Sequence, residues 1–406
     1  MTQLAREVLV SRTHEYLRRY QPRLIGMTGS AYRHLAAAAL AAVTTDEVRL
    51  EAGIATSLDE TVRVILGDRH HAPRGLLSRL MQSRVHELGG APPEAIALEL
   101  TPTMPGVMDD IAREFPMHTG LITDIGSGQL DLFDRVELVA HEMLSLLVTL
   151  PKDGHAVLNG DDPLVRALES HVRANMVWYG STPDCQVQLS SVRPLAEYRH
   201  RYEVASLIPG VVCEVRIYGK PYELRLPHII FAHHALAIIG GLATASTLPL
   251  NLSRVLHRLS QFRPPAGWGC LTPGVEGSYL IDESAQATPE SMCASLRALG
   301  KLPVDRRLAI LGDLPDLGNM TTHWYREIGT QAGKNAQVVI LVGDHMRAAG
   351  ASAVAAGADV HHFETSAEVS GWLVSYLHAG DVALVSGGAD TRLQQAVEKL
   401  SASTNA

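Results

Sequence analysis

The chain has 406 residues, of which 46% are hydrophobic and 19% charged, and its formal net charge is −8. This length predicts two or three domains with ample buried core, while the acidic balance offers no basic surface for nucleic acid or an anionic membrane. The sequence has no apolar signal-peptide segment, no run long enough to span a membrane and no CxxC pair among its four cysteines. These features predict a cytoplasmic protein with no nucleic-acid or membrane partner.

The first part of the chain alternates helical and strand-like patterns. An amphipathic lead-in helix is predicted within 1–24, followed by a central domain over 25–262. Apolar runs within this domain predict buried strands, and the stretches between them have helical spacing. The strand-like runs are 23–29, 95–100, 118–126 and 155–160. Strands that alternate with helices indicate an α/β fold with a mostly parallel sheet.

The pattern changes after residue 185. Short β-rich runs up to residue 226, including 202–208, predict a small antiparallel meander, and a helix-rich run follows over 231–262. The segment RPPAGWG (263–269) is rich in proline and glycine and is the best domain boundary. Beyond it, strands that end in Gly, Asp or Ser predict a second, Rossmann-like α/β domain over 267–400, with 401–406 as a tail.

The segment IGMTGSAYRHLA (25–36) predicts a strand end, a glycine turn and a helix start, as in a phosphate-binding loop. Such loops have Gly-Lys-Thr where this chain has Tyr32, Arg33 and His34. Arg33 keeps a positive charge, but Tyr32 removes the glycine that allows close backbone approach, and an imidazole suits a magnesium ion poorly. The loop is therefore an altered nucleotide site or a structural turn inherited from one.

Several further segments, together with this loop, resemble the Mur ligase family in order and spacing. The family patterns GxTGSxGKTT, VLELGxxxPGEI and NIGxAHLExF correspond here to GMTGSAYRHL (26–35), ALELTPTMPGVM (97–108) and DIGSGQLDLF (124–133). Later matches are LPKDGHAVLNGDDP (150–163), IDESAQATPESM (281–292), AILGDLPDLG (309–318) and GDVALVSGGAD (380–390). Within the family, the chain is most similar to the type that adds D-alanyl-D-alanine to a muramoyl tripeptide.

The resemblance implies a central domain of the P-loop type, a Rossmann-like C-terminal domain, and ATP with magnesium as cofactors. The implied reaction phosphorylates a substrate carboxylate, and an amine then displaces the phosphate to form an amide. Arg33 and Glu99 are the catalytic candidates, and Glu99 is also the candidate magnesium ligand, although it suits an ion pair or a helix cap equally well. The implied cofactor-binding residues are Thr28, Gly29, Ser30, Arg33, His234, Glu283 and Asp313.

Other positions depart from the family pattern. Gln129 and Met143 stand where the family has a metal-binding His and the Lys that carries a carbamate, although the helical spacing around Met143 also predicts a core position. Trp268, Ser386 and Ala389 replace cationic residues aimed at the phosphates. Only 25 residues precede Gly26, so the family's domain that binds the UDP sugar precursor is not expected within this sequence.

These departures favour a degenerate pseudo-ligase with weak or absent ATP hydrolysis, because all of them affect the stabilisation of phosphoryl charge. One alternative is an active ATP-dependent amide ligase that acts on a peptide or amino acid without a UDP group. The other is a binding or scaffold subunit of an authentic ligase. The partners considered are a small molecule or peptide in the interdomain cleft, and an authentic Mur-type ligase or another cell-wall enzyme.

Overall fold

The computed structural model describes residues 3–44, 48–67, 92–195, 210–314 and 317–402. Two separate sheets organise these residues, one of nine strands in the first part of the chain and one of six strands in the second. Helices pack on both sheets, so the predicted α/β fold class is confirmed.

The first part of the chain forms nine α-helices and nine strands within the described residues. They are α1 (Gln3–Tyr20), β1 (Arg23–Thr28), α2 (Arg33–Thr44), β2 (Leu50–Ala55), α3 (Leu58–Ile65), β3 (Ala95–Leu100), α4 (Val107–Glu114), β4 (Thr119–Ile122), α5 (Leu130–Phe133), α6 (Val136–Val148), β5 (His155–Asn159), α7 (Pro163–Arg166), β6 (Asn175–Gly180), β7 (Val187–Pro194), β8 (Val211–Ile217), β9 (Lys220–Leu226), α8 (Ala232–Ala245) and α9 (Leu252–Leu259).

The nine-stranded sheet has the order β2-β3-β1-β4-β5-β6-β7-β8-β9. Pairing is parallel from β2 to β7 and antiparallel from β7 to β9, so the predicted meander extends the same sheet. The parallel strands are almost continuously apolar because helices cover both of their faces. On one face α2 and α8 approach closely, since a Cβ at Gly241 would lie 2.5 Å from the Ala36 carbonyl oxygen.

The second part follows the Pro- and Gly-rich segment 263–269. Its elements are β10 (Cys270–Pro273), β11 (Tyr279–Glu283), α10 (Pro289–Leu299), β12 (Arg307–Gly312), α11 (Thr321–Asn335), β13 (Val338–Val342), α12 (Gly350–Ala355), β14 (Asp359–Phe363), α13 (Ser366–Tyr376), β15 (Val382–Ser386) and α14 (Leu393–Ala402). The sheet order is β10-β11-β15-β12-β13-β14, and every pair except β10 and β11 is parallel.

The structure refines the sequence-based elements in three places. It adds β2 and β6, which the sequence analysis does not include, and β1 begins at Arg23, before the expected domain start at residue 25. Helix α14 continues to Ala402, into the expected tail, and the Ser401 hydroxyl donates to the Val397 carbonyl there. The strand expected at 202–208 lies outside the described residues, and the domain limits stay predictions. No helix in the described part of the chain is both long and apolar enough to cross a membrane.

Candidate functional site

The loop after β1 is the centre of the candidate site. β1 lies between β3 and β4 and ends at Thr28, and α2 begins at Arg33. Gly29 has a φ of +152°, and a Cβ there would lie only 1.9 Å from the Thr123 hydroxyl oxygen, so glycine is required. A strand, a glycine turn and a helix N-terminus are the parts from which phosphate-binding loops are built.

A carboxylate from the neighbouring strand end occupies the amide groups of this loop. Asp124, which follows β4, accepts hydrogen bonds from the Ala31 N–H at 3.0 Å, the Tyr32 N–H at 3.4 Å and the Thr123 hydroxyl at 2.7 Å. Burial raises the pKa of Asp124 to about 6, although these hydrogen bonds act in the opposite direction. The amides that bind phosphate in such loops are thus already bound to an internal anion.

The Arg33 guanidinium is turned back into the loop. Arg33 is only 3% exposed, and its Nη1 donates to the Gly29 carbonyl oxygen at 2.8 Å. Its Nε has no hydrogen-bond partner among the described residues. Burial lowers the pKa of Arg33, whereas the charges of Glu99 and Asp124 act to raise it. The positive charge of Arg33 therefore interacts with the Gly29 carbonyl and with the carboxylates of Glu99 and Asp124.

The candidate magnesium ligand is paired with a histidine. Glu99, on β3, contacts Nδ1 of His34 through Oε2, and both side chains are largely buried. The ring of Trp268 covers His34 with a centroid separation of 4.6 Å. His34 and Trp268, which both depart from the family pattern, thus pack against each other, and His34 contacts the carboxylate that the resemblance assigns to magnesium.

Two histidines at the start of α8 meet a carboxylate of the second sheet. Nε2 of His234 lies 3.1 Å from Oε1 of Glu283, and Nε2 of His233 lies 4.0 Å from the same oxygen. The Ser295 hydroxyl donates to this oxygen at 2.7 Å. Burial acts to raise the pKa of Glu283, yet the interactions with both histidines hold it at about 2. Burial, followed by the effect of His234, lowers the pKa of His233 to about 4, so His233 is neutral at neutral pH.

The segment after β4 joins the loop to the second part of the chain. The Gly126 N–H donates to the Ser30 hydroxyl at 2.8 Å, and the Ser127 N–H donates to Oε1 of Glu290 at 2.8 Å. Glu290 lies in the first turn of α10. Together with the pair formed by His234 and Glu283, these contacts join the two parts of the chain.

Asp313 lies apart from these groups. It follows β12, and its carboxylate accepts hydrogen bonds from the N–H groups of His345 at 3.2 Å and Met346 at 2.6 Å. A cavity of about 820 Å³ opens beside it at the carboxyl ends of β12, β13 and β14. The structure therefore brings together the loop residues with Glu99, and His234 with Glu283, but it places Asp313 at the far strands of the second sheet.

Three of the remaining departures are buried, whereas Ala389 is exposed. Met143 is fully buried in the core under the first sheet, as the helical spacing predicts. Gln129 is 5% exposed, and Ser386 is fully buried at the end of β15. The thioether of Met143 is uncharged and soft, so it cannot replace a carbamylated lysine as a magnesium ligand.

The sequence analysis missed Asp124 and His233. The motif DIG at 124–126 has an acid where the family pattern NIG has an amide, and this exchange was the available signal for Asp124. His233 stands beside a chosen residue, but nothing in the sequence indicates that both rings reach one carboxylate. The roles expected for Thr28, Gly29, Ser30, Arg33, Glu99, His234, Glu283 and Asp313 stay predictions.

These residues do not fit a magnesium-bound triphosphate as they are arranged. The loop amides are bound to Asp124, Arg33 is bound to Gly29, and the candidate metal ligand is paired with His34. A triphosphate in the loop would also face the Asp124 carboxylate at close range, and like charges repel strongly where water is excluded. No step of a reaction is therefore assigned to ATP at this site.

Comparisons with known proteins define the class of the chain. The family model of the Mur ligase middle domain matches residues 80–218, and that of the Mur ligase glutamate ligase domain matches residues 274–389. Together they cover more than half of the sequence, and the chain belongs to the Mur ligase family.

Within this family, the similar proteins include UDP-N-acetylmuramoyl-tripeptide–D-alanyl-D-alanine ligases. That of Synechocystis is 25% identical over 230 residues, which are 55% of this chain and 44% of the relative. That of Mycobacterium tuberculosis is 26% identical over 247 residues, 58% of this chain and 45% of the relative. The chain thus aligns with about half the length of these curated relatives.

A solved structure supports the same fold. The MurF ligase of Thermotoga maritima, determined in complex with ADP, superposes with a TM-score of 0.80 at 15% identity, over 100% of this chain and 86% of that one. The chain is therefore a MurF-like member of the Mur ligase family.

Proposed function

We propose that this protein is a pseudo-ligase, related to the ATP-dependent ligases of peptidoglycan precursor synthesis but without their ATP hydrolysis. The observation that carries this proposal is the Asp124 carboxylate on the amide groups of the loop. A ligase of this family must hold a γ-phosphate and a metal ion and neutralise the charge that develops between them. Here an anion of the protein takes the phosphate position.

Three internal contacts would have to break before magnesium-ATP could bind as a ligase substrate. Asp124 would have to leave Ala31 and Tyr32, and Arg33 would have to release the Gly29 carbonyl. Glu99 would have to exchange its histidine for a metal ion. Each contact involves a charged group that is at least partly buried, so each exchange requires replacement of the interaction that now compensates that charge.

A binding role in place of catalysis agrees with the contacts that join the two parts of the chain. Glu290 and Glu283 reach from the second part to the Ser127 amide and to His234. The proposed partners are a small molecule or peptide in the cleft and an authentic Mur-type ligase or another cell-wall enzyme. Such a subunit would keep the ligase architecture as a rigid binding surface.

The test is phosphate release from magnesium-ATP by the purified chain with a panel of amino-acid and dipeptide acceptors. An authentic ligase with its own substrates serves as the positive control. We expect release no faster than in the protein-free reaction with every acceptor. Acceptor-dependent turnover would contradict the proposal and favour an active ATP-dependent amide ligase on a peptide or amino-acid substrate without a UDP group.

A further inference from the structure

The cluster of His233, His234 and Glu283 has the composition of a transition-metal site. One ligand atom from each residue lies within 4.8 Å of the others, and all three side chains are at least partly buried. Two imidazoles with one carboxylate are a ligand set that zinc uses in proteins, with a fourth position left for water or another ligand. Magnesium and calcium prefer oxygen ligands and would not select this cluster.

The distances already approach those of a tetrahedral site. Zinc–nitrogen and zinc–oxygen bonds of roughly 2.1 Å place neighbouring ligand atoms about 3.4 Å apart. His234 Nε2 lies 3.1 Å from Glu283 Oε1, and His233 Nε2 lies 4.0 Å from it. Shifts of less than an ångström would bring these two pairs to that separation, and the third pair, between the two imidazoles, lies within 4.8 Å.

Surrounding groups hold the three side chains in place. The Ser295 hydroxyl donates to Glu283 Oε1 at 2.7 Å and lies 3.1 Å from His233 Nε2. Gly269 packs on the His234 ring so closely that a Cβ there would lie 2.3 Å from Cε1. These contacts orient the side chains, and the two that Ser295 makes are with the ligand atoms themselves and would be exchanged for bonds to the ion. The His233 side chain is 17% exposed, which leaves a route for an ion from solvent.

One ring nitrogen of His234 has no partner within the described part of the chain. His234 is 5% exposed, and its Nδ1 has no hydrogen-bond partner among the described residues. A buried polar atom without a partner is costly, so it calls for an explanation such as an ion or a water that the protein binds. This atom is not the nitrogen that faces Glu283, so a bound water would satisfy Nδ1 while Nε2 serves as the metal ligand.

We propose that His233, His234 and Glu283 bind one zinc ion and that this ion joins the two parts of the chain. The histidines come from the first turn of α8, and Glu283 ends β11 of the second sheet. In the Mur-ligase resemblance, His234 and Glu283 stand at the adenine and ribose positions. The ion would therefore hold together the surfaces that a nucleotide contacts in an ordinary ligase. This inference does not depend on the proposed loss of ATP hydrolysis.

The test is calorimetric titration of the full chain with zinc chloride after removal of metals by a chelator. We expect one zinc ion per chain with a dissociation constant below micromolar. Glu283→Gln and His233→Gln should each weaken binding at least 100-fold, because each removes one of three ligands. Ser295→Ala removes a hydroxyl that contacts the ligand atoms but is not itself a ligand, so it should change the affinity less than either of these variants. Asp359→Asn is the matched control, since Asp359 and His361 form an exposed pair elsewhere, and it should leave binding unchanged.

Cobalt substitution gives a second measurement that does not depend on calorimetry. A tetrahedral cobalt complex of the wild-type chain should show visible absorption that His233→Gln abolishes. Zinc binding of unaltered affinity in both Glu283→Gln and His233→Gln would overturn the proposal, as would the lack of stoichiometric zinc binding by the folded wild-type chain. Phosphate release from ATP bears on neither result.

Discussion

The ends of β1 and β5 differ in how closely they follow the Mur ligase pattern, although they lie in the same parallel sheet. The motif after β5 matches almost completely, and its polar side chains hold backbone groups. Asn159 donates to the Thr123 carbonyl at 2.7 Å, and Asp162 accepts from the Ile125 N–H and from two N–H groups of α7. The loop after β1 departs at Tyr32, Arg33 and His34. Groups that support the backbone persist, whereas groups that would face a nucleotide have changed.

Asp124 connects these two regions. It belongs to the segment that Asn159 and Asp162 support, and its side chain fills the loop after β1. Residues that support the backbone, such as Asn159 and Asp162, can thus position an internal anion where a ligand phosphate would otherwise bind. Substitutions in the two regions should therefore differ in their effects.

Removal of a framework side chain should have the largest effect on stability. Asn159→Ala leaves the buried Thr123 carbonyl and the more exposed Asp161 N–H without their partners. We expect the free energy of unfolding to fall by about 2–4 kcal/mol, measured by urea denaturation. Asn175→Ala is the control, because Asn175 is exposed and donates only to Gly154, and its loss should be below about 1 kcal/mol. Equal losses for both variants would contradict the framework role.

Asp124→Asn should change how stability depends on pH. The pKa of Asp124 is raised in the folded state from 3.8 to about 6, so its contribution is most favourable below pH 4 and is lost as pH rises through 6. This loss amounts to about 3 kcal/mol at most, and the variant cannot show it because an amide does not titrate in this range. Denaturation of both proteins between pH 4 and 7 measures the difference. Parallel stability curves for the two proteins would contradict burial of an ionisable group in the loop.

Arg33→Ala should lower stability without affecting any ligand. The change removes a buried side chain and leaves the Gly29 carbonyl without its donor, so we expect a loss of about 1–3 kcal/mol. Arg33→Met keeps most of the volume without the buried charge and should lose less. Thermal unfolding compares the three proteins. Loss of ligand binding by Arg33→Ala at unchanged stability would instead assign Arg33 to a functional site.

Repair of the loop should have the smallest effect. Tyr32→Gly, Arg33→Lys and His34→Thr together leave Asp124 on the loop amides, so we expect less than about 1 kcal/mol of gained affinity for magnesium-ATP. Addition of Asp124→Asn should increase the gain to about 1–3 kcal/mol. Neither protein should form an amide, because Trp268, Ser386 and Met143 still replace the cations and the second metal ligand. Ligase activity in the triple variant would show that the three loop substitutions alone account for the loss of activity.

Much of the fold could be predicted from the sequence because its signals are local. The alternation of apolar strands with helices predicts the parallel sheets, and the glycine turn at Gly29 predicts the loop geometry that the structure has. β2 escaped prediction because only two of its six residues are fully buried, so it has no continuous apolar run. β6 begins with Asn175 and includes the aromatic residues Trp178 and Tyr179, and the spacing of its apolar residues is neither helical nor alternating.

The site was less predictable because its contacts join residues that are distant in sequence. Asp124 and Ala31 are 93 residues apart, and only the parallel pairing of β1 with β4 brings them together. His34 and Glu99 are also distant in sequence, as are His234 and Glu283, and each pair meets only in the folded chain. Substitution of individual motif residues could be seen in the sequence, but the replacement of ligand contacts by contacts within the protein required the structure.

Calorimetric titration of the wild-type chain and of Asp124→Asn with magnesium-ATP tests directly whether the Asp124 carboxylate occupies the phosphate position of the loop. If it does, the dissociation constant of the wild-type chain for magnesium-ATP should be millimolar or higher, and that of Asp124→Asn should be measurably lower. Micromolar, magnesium-dependent binding by the wild-type chain, unchanged in Asp124→Asn, would contradict the account.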